Sequence, residues 1–342
     1  MDITREPWEA AEPVIGWLLD ADPALRWQVM RDILDAPDAE WLAERGKVET
    51  EGWGARLFAL QDADGRWDGG AFAPAGFTQQ DWQAEGQPWT PTCWTLAQLR
   101  EFGLAPTCAC ARRTVRLIGE NARWEHDGQP YWEGEVEECI NGRTVAAGAY
   151  FGVDVDPIVE RLLGERQPDG GWNCERTNGS RVSSFDTTIS VLEGLIEHER
   201  ATGGSDRTRE ARRTAEEYLL RRDLFRRLST GEPANPDYLA SIHPDRWRYN
   251  VLRALDYFRD ASNLYGTAPD TRLGPAISYL MSRRLPDGRW PLDKILRGRV
   301  WFAVDDGEGE PSRWITLRAL RILKWWRRRS EESQTPQSAA RA

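Results

Sequence analysis

No run of about 18 apolar residues occurs in this chain, which excludes a membrane-spanning helix. Basic clusters are missing as well. The formal charge is −10 and the one basic run, Arg327 to Arg329, sits in the tail, so nothing supplies the concentrated Lys and Arg that nucleic acid requires. The segment Met1 to Asp20 is acidic and lacks the basic start and apolar centre of a secretory signal, so a soluble, cytoplasmic protein is expected. Cysteine is sparse and odd in number, at five, in a chain long enough to bury a large core without staples, and reduced thiols follow. β-type alternation is hard to find anywhere.

Tryptophan breaks this sparseness, with 18 copies. A large ring whose N–H wants a partner seldom accumulates without a use. Three copies end one recurring phrase: Gln61-Asp62-Ala63-Asp64-Gly65-Arg66-Trp67, Gln167-Pro168-Asp169-Gly170-Gly171-Trp172 and Leu285-Pro286-Asp287-Gly288-Arg289-Trp290. Each follows an amphipathic stretch, and its Gly accepts the left-handed backbone that a helix stop or tight turn needs. Recurrence of such a stop marks a repeat protein, which keeps this length in one body.

Helical periodicity dominates between the phrases. Asp22-Pro23 and Asp156-Pro157 each supply an N-cap and a favoured first residue, and Ile158, Val159, Leu162 and Leu163 form an apolar stripe behind the second. Twelve helical segments fall into two alternating sets. The charged set, near 9–19, 52–61, 107–119, 157–167, 207–222 and 272–284, reads as an outer layer. The set near 24–35, 92–102, 140–151, 185–198, 247–259 and 312–326 is shorter on charge and reads as an inner layer. The expected fold is all-α, a double ring of helices in one domain over 1–326, with a disordered polar tail at 327–342. Long irregular stretches at 68–90, 120–138, 227–246 and 286–311 are candidate lids.

The phrases and paired helices resemble the QW repeat of the squalene cyclase and protein prenyltransferase superfamily, over about residues 8 to 326. The third phrase lacks the Gln. The resemblance implies an α6/α6 toroid whose inner helices surround an apolar cavity, with each Gln capping a helix end under its Trp. It also implies an apolar, isoprenoid-like small-molecule ligand and, by analogy with the zinc-dependent members, a zinc site. The Asp-x-Asp-Asp tetrad of the class II cyclases is absent, since Asp154-Val155-Asp156-Pro157 lacks its fourth residue. The Asp and Cys of the prenyltransferase zinc site, one residue apart, are absent too. A non-catalytic lipid- or partner-binding toroid, or the β-like half of a heterodimeric transferase, therefore stays open beside a cyclase- or transferase-like enzyme.

Candidate site residues cluster at the starts of the inner helices. Cys139, Cys174, Asp186 and His243 form a candidate zinc set, with types that suit a tetrahedral site keeping one open position. Asp186, Tyr249 and Asp305 are acid–base candidates, because a carboxyl at an apolar cavity holds its proton to higher pH. Trp89, Trp94, Phe185, Trp247 and Trp314 are candidate aromatic walls, and Arg143 a candidate hold for an anionic group. The plainer readings are core packing for the rings, a helix cap for Asp186 and small buried side chains for the cysteines.

Overall fold

The structure, a computed structural model, describes residues 12–334. It contains α1 (Glu12–Leu19), α2 (Pro23–Asp32), α3 (Asp38–Gly46), α4 (Gly52–Ala59), α5 (Gln79–Glu85), α6 (Thr92–Phe102), α7 (Ala109–Asn121), α8 (Glu138–Tyr150), α9 (Asp156–Gly164), α10 (Phe185–Thr202), α11 (Asp206–Leu220), α12 (Val251–Tyr265), α13 (Gly274–Ser282) and α14 (Arg313–Gln334). Among the described residues only isolated bridges, and no strands, accompany them.

Six helices close a ring. α2, α6, α8, α10, α12 and α14 pack each on the next, and α14 returns to α2. Outside them α1 and α4 lie on α2, α9 on α8, α11 on α10 and α13 on α12. The expected α/α toroid is the observed fold. Outer and inner helices alternate along the chain, so all six inner helices point the same way. Five of their starts are reached by long segments, that of α2 by residues 20–22 alone, and their ends are left by short links such as 103–108 and 203–205, which makes the two faces of the ring unlike.

The recurring phrases tie the two layers together at the helix starts. In each, the Trp ring N–H donates to a carbonyl ten residues back in the outer helix: Trp67 to Leu57 at 2.8 Å, Trp172 to Leu162 at 2.7 Å and Trp290 to Leu280 at 2.8 Å. Each Trp backbone N–H donates to a Thr hydroxyl in the next inner helix, Thr92, Thr188 or Thr316. All three rings are fully buried, so replacing one with Ala costs about 3–5 kcal/mol. The Gln does not cap a helix. The Gln61 amide donates to Gly65 of its own turn and to Thr114 of α7, while that of Gln167 reaches Ser180 at 3.4 Å.

α8 and α10 approach almost backbone to backbone. A Cβ at Gly142 would fall 2.5 Å from the Ser190 carbonyl oxygen, and one at Gly194 would fall 2.4 Å from that of Gly142. At the helix-start face, the segment before α14 crosses to the loop before α6, where Trp89 donates its backbone and ring N–H groups to Arg299 and Arg297. Gly298 makes this crossing possible, with φ +130° and room for no side chain beside the Gln87 carbonyl. Trp301 then donates to Thr95 of α6, so the long segments cover this face.

Several elements differ from expectation, among them α12, which runs from Val251 to Tyr265 where 247–259 was expected. α3 and α5 escaped the pattern because they lie on the surface without an apolar stripe: only Glu44 is buried in α3 and nothing in α5, whose start is fixed by a Thr78–Asp81 capping box. α14 continues to Gln334, past the expected tail boundary. The remainder of that tail, 335–342, and the first residues of the expected helix at 9–19 lie outside the described residues.

Candidate functional site: an arginine-lined central cavity

The inner ring encloses a cavity of about 460 Å³. Its walls run the length of the inner helices, from Trp94, Arg253 and Trp314 in first turns to Arg31 of α2, Glu101 of α6, Glu197 of α10, Asp256 of α12 and Arg321 of α14, and the loop before α12 adds Pro244, Asp245 and Arg246. Exposure falls with depth. Arg31, near the end of α2, keeps 38% of its side-chain exposure, whereas Arg253, near the start of α12, keeps 4%. The cavity therefore opens at the helix ends, where links are short, and is floored beneath the long segments. The inner-helix starts, where the candidate site residues were expected to gather, thus lie at the covered end.

The walls also differ from the apolar surface expected. Ten arginines and six carboxylates line the cavity. Seven of the arginines are neutralised in place. Arg253 forms a two-pronged pair with Glu193 at 2.8 and 2.7 Å, and Arg318 joins Glu101 at 2.6 Å and Asp245. Arg259 and Arg321 share Asp256, Arg100 and Arg200 share Glu197, and Arg31 pairs with Asp32. Burial alone would raise the Glu101 and Asp256 carboxyls, but their partners, His243 then Arg318 for Glu101 and Arg321 then Arg259 for Asp256, hold both well below the usual carboxylate range.

Three arginines lack a carboxylate. Arg45 is held by the Gly103 carbonyl and the Tyr150 hydroxyl. Arg143 and Arg246 are different. Arg246 is 7% exposed, and its guanidinium makes no hydrogen bond or ion pair among the described residues; it lies over the Trp89 ring at 5.3 Å. Arg143 lies over Trp94 at 4.7 Å, donates once to the Arg246 carbonyl and has a buried Nε without a partner. The two tryptophans meet edge to face with ring centroids 4.8 Å apart. Burial pushes the Arg246 guanidinium down to about 9 and also lowers that of Arg143. Arg246 further holds a left-handed backbone, φ +53°, uncommon for a side chain of this size. Its loop is pinned by Asp245, which accepts from Asn250 at 2.6 Å and pairs with Arg318.

Behind one wall lies a buried imidazole. His243 stacks on Trp314 with centroids 4.8 Å apart, places Nε2 3.3 Å from Glu101 and Nδ1 3.7 Å from Asp305. Asp305 faces a second cavity of about 350 Å³, shared with Asp22, Trp53 and Arg313. Burial raises the Asp305 carboxyl, and His243 and Ser312 only partly offset that.

The expected site residues divide sharply. Trp94, Trp314 and Arg143 line the central cavity, and Trp89 backs Arg246. Phe185 packs instead among Tyr218, Tyr238 and Tyr249, and Trp247 lies under Arg248 outside the cavity lining. Asp186 accepts from the Tyr249 backbone N–H at 2.7 Å and from the Tyr238 hydroxyl, while the Tyr249 hydroxyl donates to the Leu224 carbonyl at 2.5 Å. Both thus brace the start of α12 rather than face a ligand. The zinc set does not assemble as expected, because His243 sits with Glu101 and Asp305 and Asp186 is engaged with the tyrosines. Cys139 and Cys174 do meet, and the third group beside them is Glu137.

Sequence reasoning missed Arg246, Glu101, Arg253 and Arg318. A signal existed: Arg253, Asp256, Tyr257 and Asp260 recur at helical spacing on α12, as do Glu193, Glu197 and Arg200 on α10. A charged stripe on an inner helix marks a polar channel.

No family model matches this chain, and no curated protein matches it. Among solved structures it is similar to a protein from Actinoplanes, at 15% identity and TM-score 0.43 over 90% of each chain. It is also similar to a polysaccharide lyase, at 11% identity and TM-score 0.40 over 72% of this chain and 74% of that one. A third likeness is to the type II terpene cyclase MstE from Scytonema, at 13% identity and TM-score 0.35 over 84% of this chain and 98% of that one. At these TM-scores the likenesses carry no argument about this chain. No helix among the described residues is long and apolar enough to cross a membrane.

Proposed function

We propose that the toroid binds a small organic oxyanion, a carboxylate or phosphate ester, in its central cavity. Arg143 and Arg246 grip the anion and Trp94 carries its carbon portion. The observation behind this reading is Arg246: buried, with no hydrogen bond or ion pair to its guanidinium among the described residues, offset only from a distance by Glu101, which is itself bonded to Arg318, and held in a left-handed backbone. An unpaired buried charge costs several kcal/mol, so its presence is explained by a ligand that supplies the missing charge. Each charge-assisted hydrogen bond to that ligand contributes about 1.5–3 kcal/mol.

The cyclase- or transferase-like reading, with an apolar isoprenoid ligand, finds less support in these walls. A developing carbocation is repelled where ten guanidiniums face six carboxylates. Thermal melting with a panel of carboxylates, phosphate monoesters and organic diphosphates tests the proposal. At least one should raise the melting temperature of the parent and leave the Arg143→Met/Arg246→Met variant unmoved. No shift with any, or an equal shift in both proteins, would overturn it.

One observation favours turnover over simple capture, namely His243 held between Glu101 and Asp305, which can pass a proton along the wall. Against it, Glu101 is held too firmly ionised to be a strong base. Mass spectrometry of the stabilising ligand after incubation separates the two: chemical change that His243→Gln abolishes without loss of binding indicates an enzyme, and recovery unchanged indicates a binding protein.

A further inference from the structure

Cys139 and Cys174 lie at the opposite, covered end of the ring from the cavity mouth. Glu137 and Cys139 open α8, and Cys174 follows the second Trp phrase on a short turn, Cys174–Arg176. One carboxylate oxygen and two sulfurs from these residues all lie within 4.8 Å of one another. The placement is built from both sides: the Cys174 N–H donates to the Thr187 hydroxyl at 3.3 Å, that hydroxyl reaches the Cys174 sulfur at 3.4 Å, and Cys139 donates to Glu137 at 3.4 Å. We propose that Glu137, Cys139 and Cys174 bind one thiophilic divalent cation of the zinc class, with a fourth position left to water.

Charge around the cluster points the same way. The charged groups that bear most on Glu137 are three acids, Glu135, Glu175 and Glu138. Glu138 is paired with Arg176, which also serves Glu165, so that cation is already committed. A divalent ion would offset two of the three negative charges of two thiolates and a carboxylate, and this donor set suits zinc better than a hard cation such as magnesium. The cysteines are half-buried and Glu137 is exposed, so an ion can enter from solvent.

A second trio, Glu49, Cys108 and Cys110, shows what a poorer site looks like. Its sulfurs sit 2.6 Å apart, whereas two thiolates on one tetrahedral zinc stand about 3.7 Å apart given bonds of about 2.3 Å. The Cys108 sulfur is also occupied as the cap of α7, accepting the Ala111 N–H at 3.2 Å. The cation thus belongs to the α8 site, where it would fasten the start of α8 to the loop before α10. This inference is independent of the oxyanion proposal.

Metal analysis of untagged full-length protein after zinc loading and desalting tests it. The parent and Cys108→Ser/Cys110→Ser should retain about one zinc per chain, and Cys139→Ser/Cys174→Ser less than about a tenth of that. To keep the test independent of how the latter variant folds, the parent is also titrated with cobalt(II), which should give the intense near-ultraviolet thiolate-to-cobalt absorption and tetrahedral visible bands, weakened in Glu137→Gln. A zinc-free parent, retention in Cys139→Ser/Cys174→Ser, loss in Cys108→Ser/Cys110→Ser, or a Cys139–Cys174 disulfide in freshly purified protein would overturn the proposal.

Discussion

Arg253 and Arg246 sit in the same cavity, are comparably buried, and have opposite surroundings. Arg253 faces Glu193 through two short hydrogen bonds, and that partnership, working against burial, raises its guanidinium above the usual value. Arg246 faces no carboxylate at bonding distance, and burial drives it down to about 9. The wall arginines explain how six polar helices can line one another, because each charge has a neighbour that repays its desolvation. The floor arginines do nothing of the kind. A fold gains nothing from an uncompensated cation, so the contrast separates charges that hold the ring from charges kept for something that enters it.

The comparison can be broken most forcefully at the wall. Arg318→Met strands Glu101 and Asp245 without their shared cation, and a loss of about 3–5 kcal/mol in urea unfolding is expected. A loss below about 1 kcal/mol would mean that the wall pairs are not structural. At the floor, Arg246→Met should lower affinity for the stabilising oxyanion about 10- to 100-fold in calorimetric titration, the measure of one charge-assisted contact. Trp94→Leu removes the ring under Arg143 and should weaken the same binding by about 3- to 30-fold, corresponding to about 0.5–2 kcal/mol.

The smallest effect concerns pH. Glu101 and Asp256 have carboxyls lowered in the folded state, so their stabilisation is full above the ordinary carboxylate range, near pH 4, and is lost as pH falls below it. Asp305 is raised and acts in the opposite direction, its protonation favouring the folded state as pH falls. Melting curves between pH 7 and 3 should therefore show acid lability that Asp256→Asn reduces, with a lower starting stability for that variant. Equal slopes for both proteins would remove Asp256 from the account.

The architecture was legible because it is written in local terms. The Asp-Pro starts, the Gly stops and the Trp phrases specify where helices begin and end, and the two alternating sets matched the outer and inner rings. The cavity was less legible for a physical reason. Whether Trp94 lines a hole or Phe185 fills a core depends on which way each inner helix is rotated, and both lie at the start of an inner helix. Arg246 carried no local signal at all, since its role comes from what it fails to touch. The charged stripes of α10 and α12 were visible, but the expectation of an apolar ring left them unread. For the cysteines, chain order brought Cys139 and Cys174 to mind together, while Glu137, two residues from one of them, was hidden among the other acids of its loop.

The account stands or falls on whether Arg246 serves the ring or something that enters it. Urea unfolding of the parent, Arg246→Met and Arg253→Met, side by side at neutral pH without added anions, puts that question without knowing the ligand. Arg246→Met should be as stable as the parent or more so, while Arg253→Met falls by about 3 kcal/mol or more, because only the second leaves a half-buried carboxylate without its two-pronged partner. If Arg246→Met lost as much stability as Arg253→Met, the floor arginines would belong to the fold and the oxyanion site would lose its foundation.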